Sequence, residues 1–283
     1  MESKENFGEL EAAGNRKRMV KNGKTGAEGM RIAIAGKGGV GKTTIAGTLA
    51  RILAKEREVI AIDADPAMNL RFSLGIKENP RPISELKDLI AERTGANTEL
   101  GSLGVFKLNP KVDDVLANYG VRSEGITLLV MGTVRKGGGG CTCPEHAFLR
   151  ALLRHIFRRS EHVVMDCEAG IEHLGRGTAR GVDIMLAVVE PSISAVETAI
   201  RIKSLSSDIG ISKFAVVFNK VPENRNSLNT LVRRISEENI VGCIPYDPAL
   251  LKASIEGKPP FKASPAFVEH VKALKDEICD MLH

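Results

Sequence analysis

Residues 36–44, GKGGVGKTT, carry the residue types and the spacing of a polyphosphate cradle. Gly36, Gly41, Lys42 and Thr43 satisfy G-x-x-x-x-G-K-S/T, with Gly38, Gly39 and Val40 between them and Thr44 just beyond. Glycine lets successive backbone N–H groups close around phosphate oxygens, the lysine reaches the terminal phosphates, and the hydroxyl of Thr43 is placed for Mg²⁺. The flanks agree with this reading. RIAIA (31–35) has the pattern of a buried strand entering the loop, and 43–56 that of a helix leaving it. Nucleotide binding follows from these residues.

Lys37 puts a second cation in the loop. It is either a solvated lysine or a charge delivered to a neighbouring subunit's phosphates, as an arginine finger supplied in trans is. With Lys37 the loop resembles that of the deviant phosphate-loop ATPases, the superfamily of septum-site and plasmid-partition ATPases, nitrogenase iron protein and metal-insertion proteins. The resemblance implies a homodimer closed around nucleotide, in which Lys37 acts across the interface.

Three aspartates stand where apolar runs end: Asp63 and Asp65 in DADP, and Asp166 in HVVMD. Beside a phosphate loop, strand-end carboxylates serve positioning and charge stabilisation in phosphoryl transfer. Asp166 and Gly170 form D-x-x-x-G, which resembles the switch that holds Mg²⁺ through water. The same resemblance makes Asp65 the residue that orients or deprotonates the attacking water, with Asp63 in support and as a further Mg²⁺ position. In FNKVP, Asn219 and Lys220 begin the guanine-reading pattern N-K-x-D, but Pro222 replaces its carboxylate. Guanine's donors lose their acceptor there. ATP is therefore the expected substrate, with Asn219 a base contact and the loop IPYDPA (244–249) on the other side of the base.

A second chemical motif lies in GGGGCTCPEH (137–146). Cys141 and Cys143 are thiols one residue apart, on a glycine loop just before a helix, whose N-terminus favours the metal-binding thiolate. Two thiolates do not complete a tetrahedral site, but a two-fold dimer doubles them to a Cys₄ set that accepts Ni²⁺, Zn²⁺ or Cu⁺. His146 is expected to be an exposed helix residue. Together with MGTVRKGGGGCTCPEHAFLRALLRH and MDCEAGIEHLGRGTARGVD, these residues resemble the accessory ATPases that support nickel insertion into carbon monoxide dehydrogenase (CooC type), whose sister branch serves acetyl-CoA synthase. The resemblance spans nearly all of 30–283 and implies one of those enzymes as client. Cys167 departs from the expected methionine and is either a third thiol near the switch or a buried structural residue. His173 is expected to sense nucleotide or line the interface.

Two other classes fit less well. An iron–sulfur reductase like nitrogenase iron protein takes its thiols from separated segments. A membrane or DNA positioning ATPase would end in a basic amphipathic helix, whereas the C-terminal segment has mixed charge, with Phe267, Val271, Leu274, Ile278 and Met281 at helical spacing for docking on the body.

The remaining sequence must position this chemistry. From Met30 onward, short β-branched runs alternate with helical stretches, which implies an α/β, doubly wound, mostly parallel sheet with helices on both faces, the phosphate-loop NTPase architecture. We expect a single domain over 30–283 and a flexible polar extension over 1–29. A chain of 283 residues, 43% hydrophobic and 27% charged, is long enough for one large core. Its net charge of +5 is not gathered into a basic stripe, so no nucleic-acid partner is expected. No apolar run has the length of a membrane span, and five cysteines without a disulfide framework suit a reducing cytoplasm.

Overall fold

The computed structural model describes residues 29–96, 106–133, 143–169, 181–223 and 228–283. Cys141, the glycines at 137–140, Gly170, His173 and residues 1–28 of the extension lie outside the described residues.

The apolar runs form strands β1 (Arg31–Ala35), β2 (Val59–Ala64), β4 (Ile126–Val130), β5 (His162–Cys167), β6 (Ile184–Val189), β7 (Phe214–Val221) and β8 (Ile240–Pro245). With the short β3 (Val121–Ser123) they make one sheet in the order β3-β4-β2-β5-β1-β6-β7-β8. Every pairing is parallel except β3 on β4. Alternate residues of each strand feed two separate cores. Ile32 and Ile34 of β1 join one, while Ala33 and Ala35 join the other. Burial on both faces is why these strands read as continuous apolar runs.

On one face lie α1 (Lys42–Leu53), α2 (Leu70–Leu74) and α10 (Pro265–Leu282). The other carries α3 (Lys87–Thr94), α4 (Val115–Tyr119), α5 (Cys143–Ile156), α6 (Ile193–Ile209) and α7 (Leu228–Ile235). After β8, the short helices α8 (Pro248–Ile255) and α9 (Pro260–Ala263) lead into α10. Helix α10 starts at a Ser264 cap that accepts from Phe267 N, with Pro265 following. It packs on β8 and α1 and buries Phe267, Val271, Leu274 and Ile278, as their spacing predicts. Each such side chain contributes roughly 1.5–3 kcal/mol on burial. The stripe is thus committed to the core rather than to a lipid surface. No helix among the described residues is long and apolar enough to cross a membrane.

Candidate active site

The site is built where β1, β2 and β5 end. These three strands are neighbours, so their carboxyl ends bring 36–44, Asp63, Asp65 and Asp166 together. The chain leaves β1 through Gly36, at which a Cβ would lie 2.4 Å from the Val188 carbonyl oxygen of β6. Glycine alone permits that approach. The loop closes at Gly41, in the left-handed conformation (φ 94°), and α1 begins there with no side-chain cap. Uncapped N–H groups at a helix start are donors for an anion, and the helix dipole favours negative charge there.

Lys42 is buried at the head of α1. Its Nζ lies 3.7 Å from Asp65 Oδ2 and donates to the Lys37 carbonyl at 3.4 Å. Thr43 donates its hydroxyl to Asp166 Oδ2 at 2.6 Å. The other carboxylate oxygen of Asp166, Oδ1, is buried with no hydrogen-bond partner. Asp63 is fully buried and accepts from the backbone N–H of Leu70 (2.8 Å) and of Asp65 (3.3 Å). Burial pushes the Asp63 carboxyl up to about 6. It pushes that of Asp166 up to about 7, with the charges of Asp63 and Asp65 adding to the rise and Thr43 and Lys42 opposing it. An orphaned carboxylate oxygen beside a threonine hydroxyl fits Mg²⁺, which takes few protein ligands and completes its shell with phosphate and water. The structure therefore brings Lys42, Thr43, Asp63, Asp65 and Asp166 into one cluster.

The other expected residues are placed differently. Lys37 is exposed, and its Nζ donates to Ser194 Oγ, at the start of α6, at 3.0 Å. Asn219 is buried behind the loop, where its Nδ2 donates to the Val40 carbonyl at 2.8 Å. A Cβ at Gly41 would meet that same nitrogen at 2.4 Å. Asn219 thus braces the loop, and its neighbour Lys220 does so from the outside, donating to the Gly39 carbonyl at 2.6 Å. Cys143 opens α5, is exposed and is disulfide-bonded. Metal binding through it requires the reduced thiol. Among the described residues no three His, Cys, Asp or Glu side chains form a group that could hold a metal ion. Cys167 is fully buried on the opposite face from Asp166, and burial first, then the Asp166 charge, holds its thiol well above the ordinary range. That is the setting of a structural cysteine.

Beside the loop a cleft of about 650 Å³ opens between the head of α1 and the helices in front of it. Thr43 and Thr44 line it together with Phe72 and Ser73 of α2 and Leu250 and Ala253 of α8. Its size lies within the range of small-molecule sites. The walls carry no sequence signature, because α2 and α8 are short and take their positions from tertiary contacts.

This fold and this site define a phosphate-loop ATPase. The CobQ/CobB/MinD/ParA nucleotide binding domain model matches residues 32–261, and the chain belongs to that family. It is 43% identical to the carbon monoxide dehydrogenase accessory protein CooC of Rhodospirillum rubrum, over 87% of this chain and 94% of that one. An uncharacterized ATP-binding protein of Methanocaldococcus jannaschii is 47% identical over 81% of this chain and 90% of its own. Among solved structures, a ParA family ATPase from Chlorobium tepidum superposes with a TM-score of 0.64 at 17% identity, covering 89% of this chain and 99% of that one. That likeness concerns the fold.

Proposed function

We propose that this protein is an ATP-hydrolysing metallochaperone that dimerises around nucleotide and metal and supports nickel insertion into carbon monoxide dehydrogenase, with acetyl-CoA synthase the other candidate client. The observation that carries the hydrolytic half is the junction of Thr43 and Asp166 at the foot of the phosphate loop, with Asp166 Oδ1 left unpartnered. The similarity to CooC over nearly the whole chain supports the client.

In this reading the loop amides and Lys42 bind the β- and γ-phosphates. Thr43 and Asp166 would hold Mg²⁺, Asp166 through water, with the buried Asp63 in support. The ion, when bound, offsets charge on the phosphate oxygens. Lys42 then exchanges its contact with Asp65 for phosphate, which frees the Asp65 carboxylate to orient the attacking water and take its proton. Lys37 leaves Ser194 to reach the partner's phosphates, where an added cation stabilises the developing charge. Asn219 and the 244–249 loop contact the adenine edge. Cys141 and Cys143 from each of two chains bind the cargo ion, Ni²⁺ or Zn²⁺, on the dimer axis.

The test is reconstitution. Nickel-free carbon monoxide dehydrogenase is incubated with this protein, Ni²⁺ and Mg·ATP, and CO oxidation is followed by the reduction of an added electron acceptor. Activation should require ATP and be lost with Lys42→Ala. Equal activation without ATP, or by Lys42→Ala, would overturn the coupling of hydrolysis to insertion.

A further inference from the structure

Phe72 stands out among the apolar side chains because 53% of its surface is exposed although both its helical neighbours, Leu70 and Leu74, are fully buried. Its place is fixed from three sides. Asp63 Oδ2 accepts from Leu70 N at the start of α2, and Arg51 Nε donates to the Leu74 carbonyl at its end, at 2.9 Å. The Arg71 guanidinium lies over the Phe72 ring, 3.9 Å from its centroid, and donates to the Lys77 carbonyl at 3.4 Å. One ring face is therefore covered by a cation that is itself held in place. Phe72 also lines the cleft that Thr44, Leu250 and Ala253 line.

An anchored aromatic ring with one covered face, half exposed in a cleft that also has aliphatic lining, matches a flat group that is apolar on its faces and polar at its edges. Gly39, Gly41, Lys42 and Thr43 of the phosphate loop line the same cleft, so that group is carried by the phosphates the loop binds. We propose that Phe72 is the stacking platform for the nucleobase and that Leu250 and Ala253 close on the base's other side. The inference rests on the reading that the loop binds ATP and adds the residue that recognises the purine ring. Stacking tolerates any base, since each has a π-face, so Phe72 supplies affinity while edge contacts choose adenine.

The experiment compares ATP with inorganic tripolyphosphate, which has the phosphates and no base. Phe72→Ala should weaken ATP binding about tenfold in calorimetry, the loss expected from one stacked base, and leave tripolyphosphate binding as in the wild type. Phe72→Tyr should restore ATP affinity. The chain has no tryptophan, so Phe72→Trp introduces a single reporter whose fluorescence ATP should quench and tripolyphosphate should not. Wild-type ATP affinity in Phe72→Ala would overturn the proposal. Equal loss for both ligands would overturn it too, since it would mean that Phe72 only shapes the loop. A wild-type protein that binds neither ligand would instead overturn the ATP reading beneath it.

Discussion

Asp63 and Asp166 are register partners across the β2–β5 pairing, so two fully buried carboxyl groups stand side by side at the end of the sheet. Both belong to the alternation that faces α1, where Thr43 holds one oxygen of Asp166. Burial is the main cause of their raised values of about 6 and about 7, and the charge of Asp63 adds to the rise at Asp166. A divalent cation removes the conflict. The pair thus favours a cation at these strand ends.

That demand sets a pH dependence for Mg·ATP. Below pH 7 Asp166 carries a proton that the cation must displace. Affinity should fall about fivefold between pH 7 and 6, with a proton released from Asp166 on binding. Calorimetry in buffers of different ionisation heat measures both quantities. A flat affinity from pH 6 to 8 would remove Asp166 from the cation site.

Stability should run the opposite way. Without ligand, both folded-state values lie above the ordinary 3.8, so the folded chain binds more protons than the unfolded one between about pH 4 and 7. Stability is lost as pH rises through that window. Asp166→Asn removes the buried charge and should stabilise the nucleotide-free protein at pH 8 by on the order of 2–4 kcal/mol, read in urea denaturation. Destabilisation at pH 8 would show that the ionised carboxylate is well satisfied in the empty site.

What could be read from sequence follows the range of the interactions. The strand, loop and helix over 31–53 were legible because local pattern and motif agree, and α10 was legible from its five-residue apolar stripe, of which all but the partly buried Met281 are buried. Strand β3 was missed because Val121–Ser123 is three residues long and partly exposed, with no alternation to detect. Helix α8 was missed because it is eight residues long and its apolar residues are spread around it, with Ala253 buried but Leu251 and Ile255 exposed, so they form no stripe. Asn219 shows the limit most clearly. Its residue type and its neighbour Lys220 point to a base, whereas its observed partner is a carbonyl 179 residues away. No local pattern carries that information.

The brace predicts a distinct phenotype for Asn219→Ala. The variant leaves the Val40 carbonyl without its donor beneath the loop, a loss of about 1–3 kcal/mol in unfolding free energy. Tripolyphosphate binding should weaken together with ATP binding, because the cradle itself loosens. Loss confined to ATP would make Asn219 a base contact alone.

Lys37 is held by a hydroxyl at the surface, a contact worth about 1 kcal/mol, and a partner's phosphates compete with it easily. Lys37→Ala should bind ATP normally and fail to dimerise on adding it, whereas Ser194→Ala should dimerise as the wild type does. Sedimentation velocity with and without ATP separates the cases. An ATP-driven dimer of Lys37→Ala would return Lys37 to the role of a solvated loop lysine.

The cysteine motif makes its prediction through stoichiometry and redox state together. Cys143 is disulfide-bonded here, and a disulfide offers no thiolate, so oxidised protein should bind no metal at this position. Reduced protein should bind one divalent ion per dimer, with four sulfur ligands at roughly 2.3 Å if the ion is Zn²⁺. The count follows from chemistry: two thiolates per chain are half a tetrahedral set, and a two-fold axis supplies the rest. Because the same dimer closes around nucleotide, ATP should raise metal affinity and metal should raise ATP affinity by the same factor. Metal analysis with oligomer mass, for wild type and for Cys141→Ser with Cys143→Ser, measures it. One ion per monomer, or binding undiminished in the double variant, would place the metal elsewhere. Unequal coupling factors would mean that two different dimers are being compared, since reciprocity holds for any single equilibrium.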